Sequence, residues 1–303
     1  MYAGFPASML PKVCCPKDQG PLVYEGHKKF IREGEVRCVS CGYAYPIREG
    51  ILNLVSAQPA FDEIAAANMA ARDQEAPIYD STGHTPLRIA CELKAMLREL
   101  DPIEGKEILD VGCGTGSFAL ELLPRAGSVM GMDFSTQSLA VFAAKIDREE
   151  NVGLVSADAR RLVLSPESFD AVLSSWVLQD VPDRTSLLEN MRFTLRPRGT
   201  FVATAYHYSV DLRLRGHPRD GFDASGVFFH RFTADELAEE VRGTFGNSSA
   251  RPILLPLWRL PQWLRPWDAL ERVPLIRRFG RTVLVCASKT AGTPEAGLTN
   301  SAA

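Results

Sequence analysis

The sequence predicts an α/β fold in which a doubly wound, mostly parallel sheet follows a small cysteine-bearing module. Three observations lead there. Short apolar runs alternate with helix-patterned segments between residues 107 and 206, the signature of right-handed crossovers between parallel strands. The first of these runs ends in "DVGCGTG", residues 110–116, a glycine-rich turn at a strand–helix junction. Four of the seven cysteines fall within the first 41 residues.

In chain order, residues 1–57 form the module, with strand-like pieces "PLVYE", "EVRCVS" and "YAYPI". Residues 58–100 read as a helical linker and lid. Residues 58–75 are Ala-rich and amphipathic, and "PLRIACELKAMLREL" places Leu87, Ala90, Leu93, Leu97 and Leu100 at helical spacing. The main domain, residues 101–290, then alternates. Strand "EILDVG" leads to helix "GSFALELL", and "SVMGMD" to "TQSLAVFAAKIDREE". Strand "VGLVSAD" has a short connection to "FDAVLSS", which is followed by helix "DRTSLLENMRFTL" and strand "GTFVATAY". In "TADELAEEVRGTFG", Thr233 is the expected N-cap with Glu236 three residues on. "ARPILLPL" and "TVLVCASK" complete seven strands. Residues 209–231 and 256–281 are insertions, and 291–303 a small, polar tail expected to be disordered.

Composition excludes several classes. The chain has 303 residues, 46% hydrophobic and 23% charged, with a net charge of −3. A near-neutral chain without Arg/Lys blocks has no global attraction to nucleic acid, which counts against an RNA substrate and leaves only a local basic patch. The N-terminus lacks an apolar run behind a basic start, so no secretory signal is expected. A cytoplasmic location and reduced cysteines follow, with metal ligation rather than disulfides in the N-terminal cluster.

The glycine turn is a ligand site in such a sheet. Gly112, Gly114 and Gly116 permit a tight turn and a close backbone approach, and ligands bind at the carboxyl ends of parallel strands. Alone the turn is ambiguous, since nicotinamide and flavin proteins use similar ones. Acidic residues close the next two strands: Asp133, 23 residues after Asp110, in "GMDFS", and Asp158 in "SADARRL".

Taken together, "DVGCGTG", "GMDFS", "SADARRL", "FDAVLSSWVLQDVPD" and "LRPRGTFVAT" resemble the motifs of class I S-adenosylmethionine-dependent methyltransferases, in their small-molecule branch, over residues 76–290. The resemblance implies a Rossmann-like methyltransferase fold with S-adenosylmethionine as cofactor. It places Asp110 near the methionine end, the glycine backbone under the cofactor, Asp133 on the ribose and Phe134 on adenine. It also places Asp158 and the Ala159 N–H at the adenine amino group, Ser175 among the cofactor contacts and Tyr79 in a segment closing over the cofactor. The chain departs from the branch at Gln179 and Asp180, where paired histidines are common, and at Arg198, where glycine is common.

The module carries Cys38-x-x-Cys41 and, with the same spacing, Cys15 and Asp18. Two ligands from each of two turns suit a tetrahedral structural zinc. Asp18 stands where a cysteine is expected; Cys3Asp ligation and substitution by Cys14 both remain open at this stage. With "GPL" and "YPIREGI", the segment resembles the Trm112-like zinc ribbon, a family that assists methyltransferases as partner or fused module.

Methyl transfer needs a positioned nucleophile and, for some acceptors, a base. His207 in "ATAYHYS" is the best candidate base, because imidazole titrates near neutrality; His84 and His230 are weaker. Trp258, Trp263 and Trp267 in 256–281 form an apolar insertion that could cover substrate, touch a membrane surface or mediate dimerisation. The expected partner is a small, partly apolar metabolite. RNA or protein methylation guided by the ribbon, and non-catalytic cofactor binding, are the alternatives.

Overall fold

The computed structural model describes residues 1–55, 62–82, 86–146, 151–255, 270 and 272–290. The expectations for His84, for the tryptophans of 256–281 and for the tail therefore lie outside the described residues.

Short strands dominate the module: β1 (Phe5–Pro6), β2 (Leu22–Val23), β3 (Phe30–Ile31), β4 (Gly34–Cys38), β5 (Ala44–Arg48) and β6 (Ile51–Asn53). Three helices follow, α1 (Glu63–Glu75), α2 (Tyr79–Thr82) and α3 (Pro86–Leu100). The alternating region forms β7 (Glu107–Val111), α4 (Ala119–Leu122), β8 (Ser128–Asp133), α5 (Thr136–Lys145), β9 (Val152–Ser156), β10 (Phe169–Ser175), α6 (Thr185–Thr194) and β11 (Leu195–Tyr206). The chain continues with α7 (Val210–Leu214), the hairpin β12 (Asp220–Phe222) and β13 (Phe228–His230), α8 (Ala234–Phe245), β14 (Ser249–Ile253) and β15 (Thr282–Ser288).

All five residues of β9 and the last four of β7 are buried. Continuous burial is what parallel strands covered on both faces require, and it explains their unbroken apolar runs. Helix α4 is shorter than its pattern predicts. Gly116 adopts φ +84°, which keeps the first residues of "GSFALELL" out of helical geometry. Helix α8 begins as expected: Thr233 Oγ1 accepts from the Glu236 amide and Glu236 Oε2 from the Thr233 amide, both at 3.3 Å.

Among the described residues the main sheet has eleven strands, in the order β14-β15-β11-β10-β7-β8-β9-β6-β5-β4-β2. The seven from β14 to β9 are the predicted doubly wound set, parallel apart from β15, which runs antiparallel to β11 and β14. The chain fills one side as β7, β8, β9 and then crosses to β10, so the switch point lies between β7 and β10, where such sheets bind ligands.

Four further strands come from the module. β6 pairs in parallel with β9, Leu52 opposite Val155, and the antiparallel ladder β6-β5-β4-β2 continues outward. Phe5, Ile31, Tyr45 and Leu52 share one buried cluster with Leu109, Met130 and Val155. Gly153 in β9 lies so close beneath the module that a Cβ there would sit 2.6 Å from Met9 Sδ. The module thus covers an edge strand that would otherwise expose unpaired backbone groups.

Candidate active site

The glycine turn leaves β7 at the switch point, and its three glycines meet different surroundings. A Cβ on Gly112 would lie 2.0 Å from Val177 Cγ2, and one on Gly116 2.2 Å from the Phe142 ring. Gly114, at φ +52°, would point its Cβ into open space, on the wall of a cleft. The Gly114 amide donates to Asp133 Oδ2 at 2.8 Å, and the Ser135 amide to Asp133 Oδ1 at 2.9 Å. Both oxygens of Asp133 are thus held by backbone, each with acceptor capacity left over.

Asp110 is almost completely buried, and its Oδ2 has no hydrogen-bond partner. Burial first, and the neighbouring Asp133 second, push its pKa up to about 8. Such an atom is expensive to leave unmet, and a cationic ligand group would meet it. Asp158 accepts from Arg160 Nε at 3.1 Å and from the Arg160 amide at 3.0 Å. Arg160 reaches on to Asp62 at the N-cap of α1, 2.5 Å away.

The cleft and the open solvent at its mouth together amount to about 1000 Å3 of space free of atoms. The structure brings Tyr79, Gly112, Gly114, Asp133, Phe134, Asp158, Ala159 and Ser175 onto its wall. Gly116 is not on it, packing instead beneath Phe142. Asp110 lines an adjoining cavity with Glu92, sharing Tyr79, Gly112, Gly114, Ser175 and Trp176 with the cleft.

Sequence reasoning missed Arg72 and Trp176, and noticed Asp180 only as a departure. Arg72, projecting from α1, bonds Asp180 Oδ2 at 2.8 Å and lines the cleft with it. Burial raises the Asp180 pKa to about 6, although Arg72 works in the opposite direction. Glu92 is also wholly buried, accepts from Thr282 Oγ1 at 2.7 Å and is pushed by burial to about 7.

Trp176 follows β10 directly and adopts φ +61°. A bulky residue there is strained, and such strain concentrates at ligand sites. Its ring meets Tyr206 edge-on at 5.0 Å. Trp176 borders the cleft, the adjoining cavity and a third chamber beyond. An aromatic side chain directly after an apolar strand at the switch point was the available signal.

His207 directly follows β11, and it faces the chamber beyond Trp176 rather than the cleft. Its Nδ1 lies 2.8 Å from the Gly280 carbonyl. A carbonyl only accepts, so Nδ1 carries the hydrogen and Nε2 keeps a lone pair in the neutral ring. Burial lowers the pKa below its ordinary value. His230 is paired instead with Asp220 on the hairpin.

In the module, one ligand atom from each of Cys15, Asp18, Cys38 and Cys41 lies within 4.8 Å of all the others. Cys15 and Cys41 Sγ atoms are 3.7 Å apart, and Cys38 Sγ is 3.3 Å from Asp18 Oδ1. Tetrahedral bonds of about 2.3 Å place two sulfurs roughly 3.8 Å apart. Cys14 is not one of the four.

Residues 109–203 match the family model described as "Methyltransferase domain". Curated relatives include demethylmenaquinone methyltransferases of Staphylococcus aureus. That of strain MRSA252 is 38% identical over 112 residues, 36% of this chain and 46% of the relative; that of strain JH9 is 37% identical over the same span. The chain thus spans about half the length of the curated relatives it matches. Among solved structures, a chain of the complex between the Haloferax volcanii Trm112 methyltransferase activator and a methyltransferase superposes with a TM-score of 0.56. It is 21% identical and covers 77% of this chain and 100% of its own. The Burkholderia thailandensis 1,6-didemethyltoxoflavin-N1-methyltransferase gives 0.54 at 18% identity, covering 89% and 99%. These two likenesses concern the methyltransferase fold. Among the described residues, no helix is long and apolar enough to cross a membrane.

Proposed function

We propose that the chain is an S-adenosylmethionine-dependent methyltransferase acting on a small, partly apolar metabolite. The observation that carries this reading is the buried Asp110 carboxylate oxygen without a partner, one strand away from an Asp133 carboxylate fixed by two backbone amides. The pair fits the cofactor's two polar ends: Asp110 would accept from the methionyl ammonium and Asp133 from the ribose hydroxyls. Phe134 and Ala159 flank the place left for adenine, and Gly114 leaves room where a side chain would intrude. Arg160 shares Asp158 with any adenine amino group. The Staphylococcus relatives, named for a small molecule, support the acceptor class.

Bound S-adenosylmethionine would supply an electrophilic methyl group for the acceptor's oxygen, nitrogen or carbon, with a sulfur able to keep the bonding electron pair. The chain's own residues position and enclose the reactants, which is most of what an in-line displacement requires. Tyr79 and α1 cover the cleft, and Trp176 stands between it and the chamber. His207 Nε2 takes the acceptor's proton when the acceptor must lose one. Cys15, Asp18, Cys38 and Cys41 would hold a structural zinc, which rigidifies the module against β9. The seven cysteines form no disulfide with one another.

The test is incubation of the full chain with methyl-labelled S-adenosylmethionine and fractionated cell metabolites. A labelled small molecule is expected; label found only in RNA or protein fractions would contradict the acceptor class.

A further inference from the structure

This mildly acidic chain carries a local excess of the opposite sign. Its net charge is −3, yet residues 209–219 hold three arginines against Asp211, and residues 256–281 hold six arginines against two carboxylates. The described parts of these two segments meet in the fold. The Val210 amide donates to the Arg278 carbonyl at 3.3 Å, and Arg281 Nη2 lies 2.7 Å from Asp211 Oδ2. They form one surface, with α7 on one side and the short helix Pro274–Arg277 on the other.

Apolar side chains stand among the charges. Leu214 is 82% exposed and Leu275 67%, and Val273 and Phe279 are exposed beside Leu275. Leu212 turns inward and lines the chamber that holds His207; Leu214, two residues on and about 200° around the helix, points out. Arg213 and Arg215 flank Leu214, and Arg272, Arg277 and Arg278 flank Leu275 and Phe279. Of the described arginines in the two segments, Arg219 pairs with Glu236 and Arg281 with Asp211. Among the described residues, the other five have no carboxylate within ion-pair distance.

Exposed apolar side chains gathered in one place mark a contact surface, and the charge around them selects its partner. Two copies of this patch would repel each other. Nucleic acid would meet the arginines but leave Leu214 and Leu275 in water. A bilayer with acidic headgroups satisfies both sets: guanidinium groups pair with lipid phosphates, while leucine and phenylalanine side chains enter the acyl boundary.

We propose that this surface docks the protein on an anionic lipid bilayer, with Leu214, Val273, Leu275 and Phe279 inserted and the five arginines at the headgroups. The docking stands apart from the transferase reading. Because Leu212 and Arg281 wall the chamber from the same two segments, it sets that chamber beside the bilayer.

The test is cosedimentation of the full chain with two kinds of vesicle, phosphatidylcholine alone and phosphatidylcholine mixed equally with phosphatidylglycerol. The chain is expected to bind the mixed vesicles about tenfold or more tightly, since each arginine is drawn to an acidic surface, and to bind more weakly as salt is raised. The double variants Arg213→Gln with Arg215→Gln and Arg277→Gln with Arg278→Gln should each weaken that binding about tenfold or more. Arg277→Lys with Arg278→Lys should retain most of it. Leu214→Asn and Leu275→Asn, with every arginine in place, should each weaken it about fivefold or more. Melting temperature is measured on every variant, and the two leucines are tested separately so that a loss of stability at one leaves the other to decide. Equal affinity for the two vesicles, no binding to either, or binding indifferent to the leucine variants overturns the proposal. So does binding of polyuridylate in place of vesicles, which would assign the arginines to nucleic acid, or a dimer in place of vesicle binding that Leu275→Asn disperses, which would assign the apolar face to a second copy. S-adenosylhomocysteine binding plays no part in this reading, so a failure of the transferase assignment leaves it intact.

Discussion

The amide of Gly114 donates to Asp133 Oδ2 across 2.8 Å, so the glycine turn after β7 and the end of β8 are fixed to each other before any ligand arrives. Such preorganisation reduces the ordering cost of binding. It also makes the turn glycines separable by experiment. Gly114→Ala keeps the amide but puts a methyl into the cleft and strains φ +52° by about 1–2 kcal/mol. S-adenosylhomocysteine affinity should fall by about tenfold or more with a modest loss of melting temperature. Gly116→Ala drives a methyl into Phe142, an overpacking of about 1–3 kcal/mol. It should lower the melting temperature more and affinity less. Calorimetry and thermal unfolding of the two variants check the contrast.

Asp110 should reveal itself as a proton. Its folded pKa of about 8 lies above the unfolded value of roughly 3.9, so the native state holds a proton that the unfolded chain has released. The protonated form's stabilisation is therefore complete below about pH 4 and is lost as pH rises through about 8. Asp110→Asn should melt progressively higher than wild type as pH increases from 5 to 8. A cationic ligand group favours the ionised carboxylate, so binding S-adenosylhomocysteine at pH 7 should release close to one proton in wild type. That release should disappear in Asp110→Asn. Calorimetry in buffers of different ionisation enthalpy measures it.

The lowered pKa of His207 makes the ring a neutral base at pH 7, and that form is lost only as pH falls through the depressed folded value. For an acceptor that must lose a proton, kcat/KM should be flat above pH 7 and decline on the acid side. His207→Ala should cut kcat by about 10²–10⁴-fold while S-adenosylhomocysteine affinity stays within about twofold of wild type. Steady-state kinetics across pH, paired with calorimetry, separates this from a structural role.

The Cys15, Asp18, Cys38, Cys41 cluster predicts one zinc per chain. Cys38→Ser should abolish bound metal and lower the melting temperature by on the order of 5 °C or more, given about 2–4 °C per kcal/mol in domains of this size. Elemental analysis and thermal unfolding check it. Because β6 completes the β9 edge, the loss should also increase hydrogen exchange in β9.

Much of this architecture is legible in the residues. Parallel strands buried on both faces announce themselves as the apolar runs that lead to Asp110, Asp133, Asp158 and Ser175. What is not legible depends on distance along the chain. Nothing local in Leu52 says that it will pair beside Val155, about a hundred residues on. The residues put His207 at the end of β11, but the chamber it faces is set by the distant Gly280 carbonyl that its ring meets. Nothing local in Arg72 says that α1 will bring it beside Asp180. Trp176 reads as one more core aromatic; its role follows from a backbone angle and three cavities that only the folded chain has.

The central claim is that an adenosyl sulfonium compound lies across the ends of β7, β8 and β9, bound by Asp110 and Asp133. Titration calorimetry of the folded full chain with S-adenosylmethionine and S-adenosylhomocysteine tests it most directly. One site per chain with a micromolar Kd, weakened about tenfold or more by Asp133→Ala, is the predicted result. The absence of binding heat with both compounds at several temperatures would contradict it.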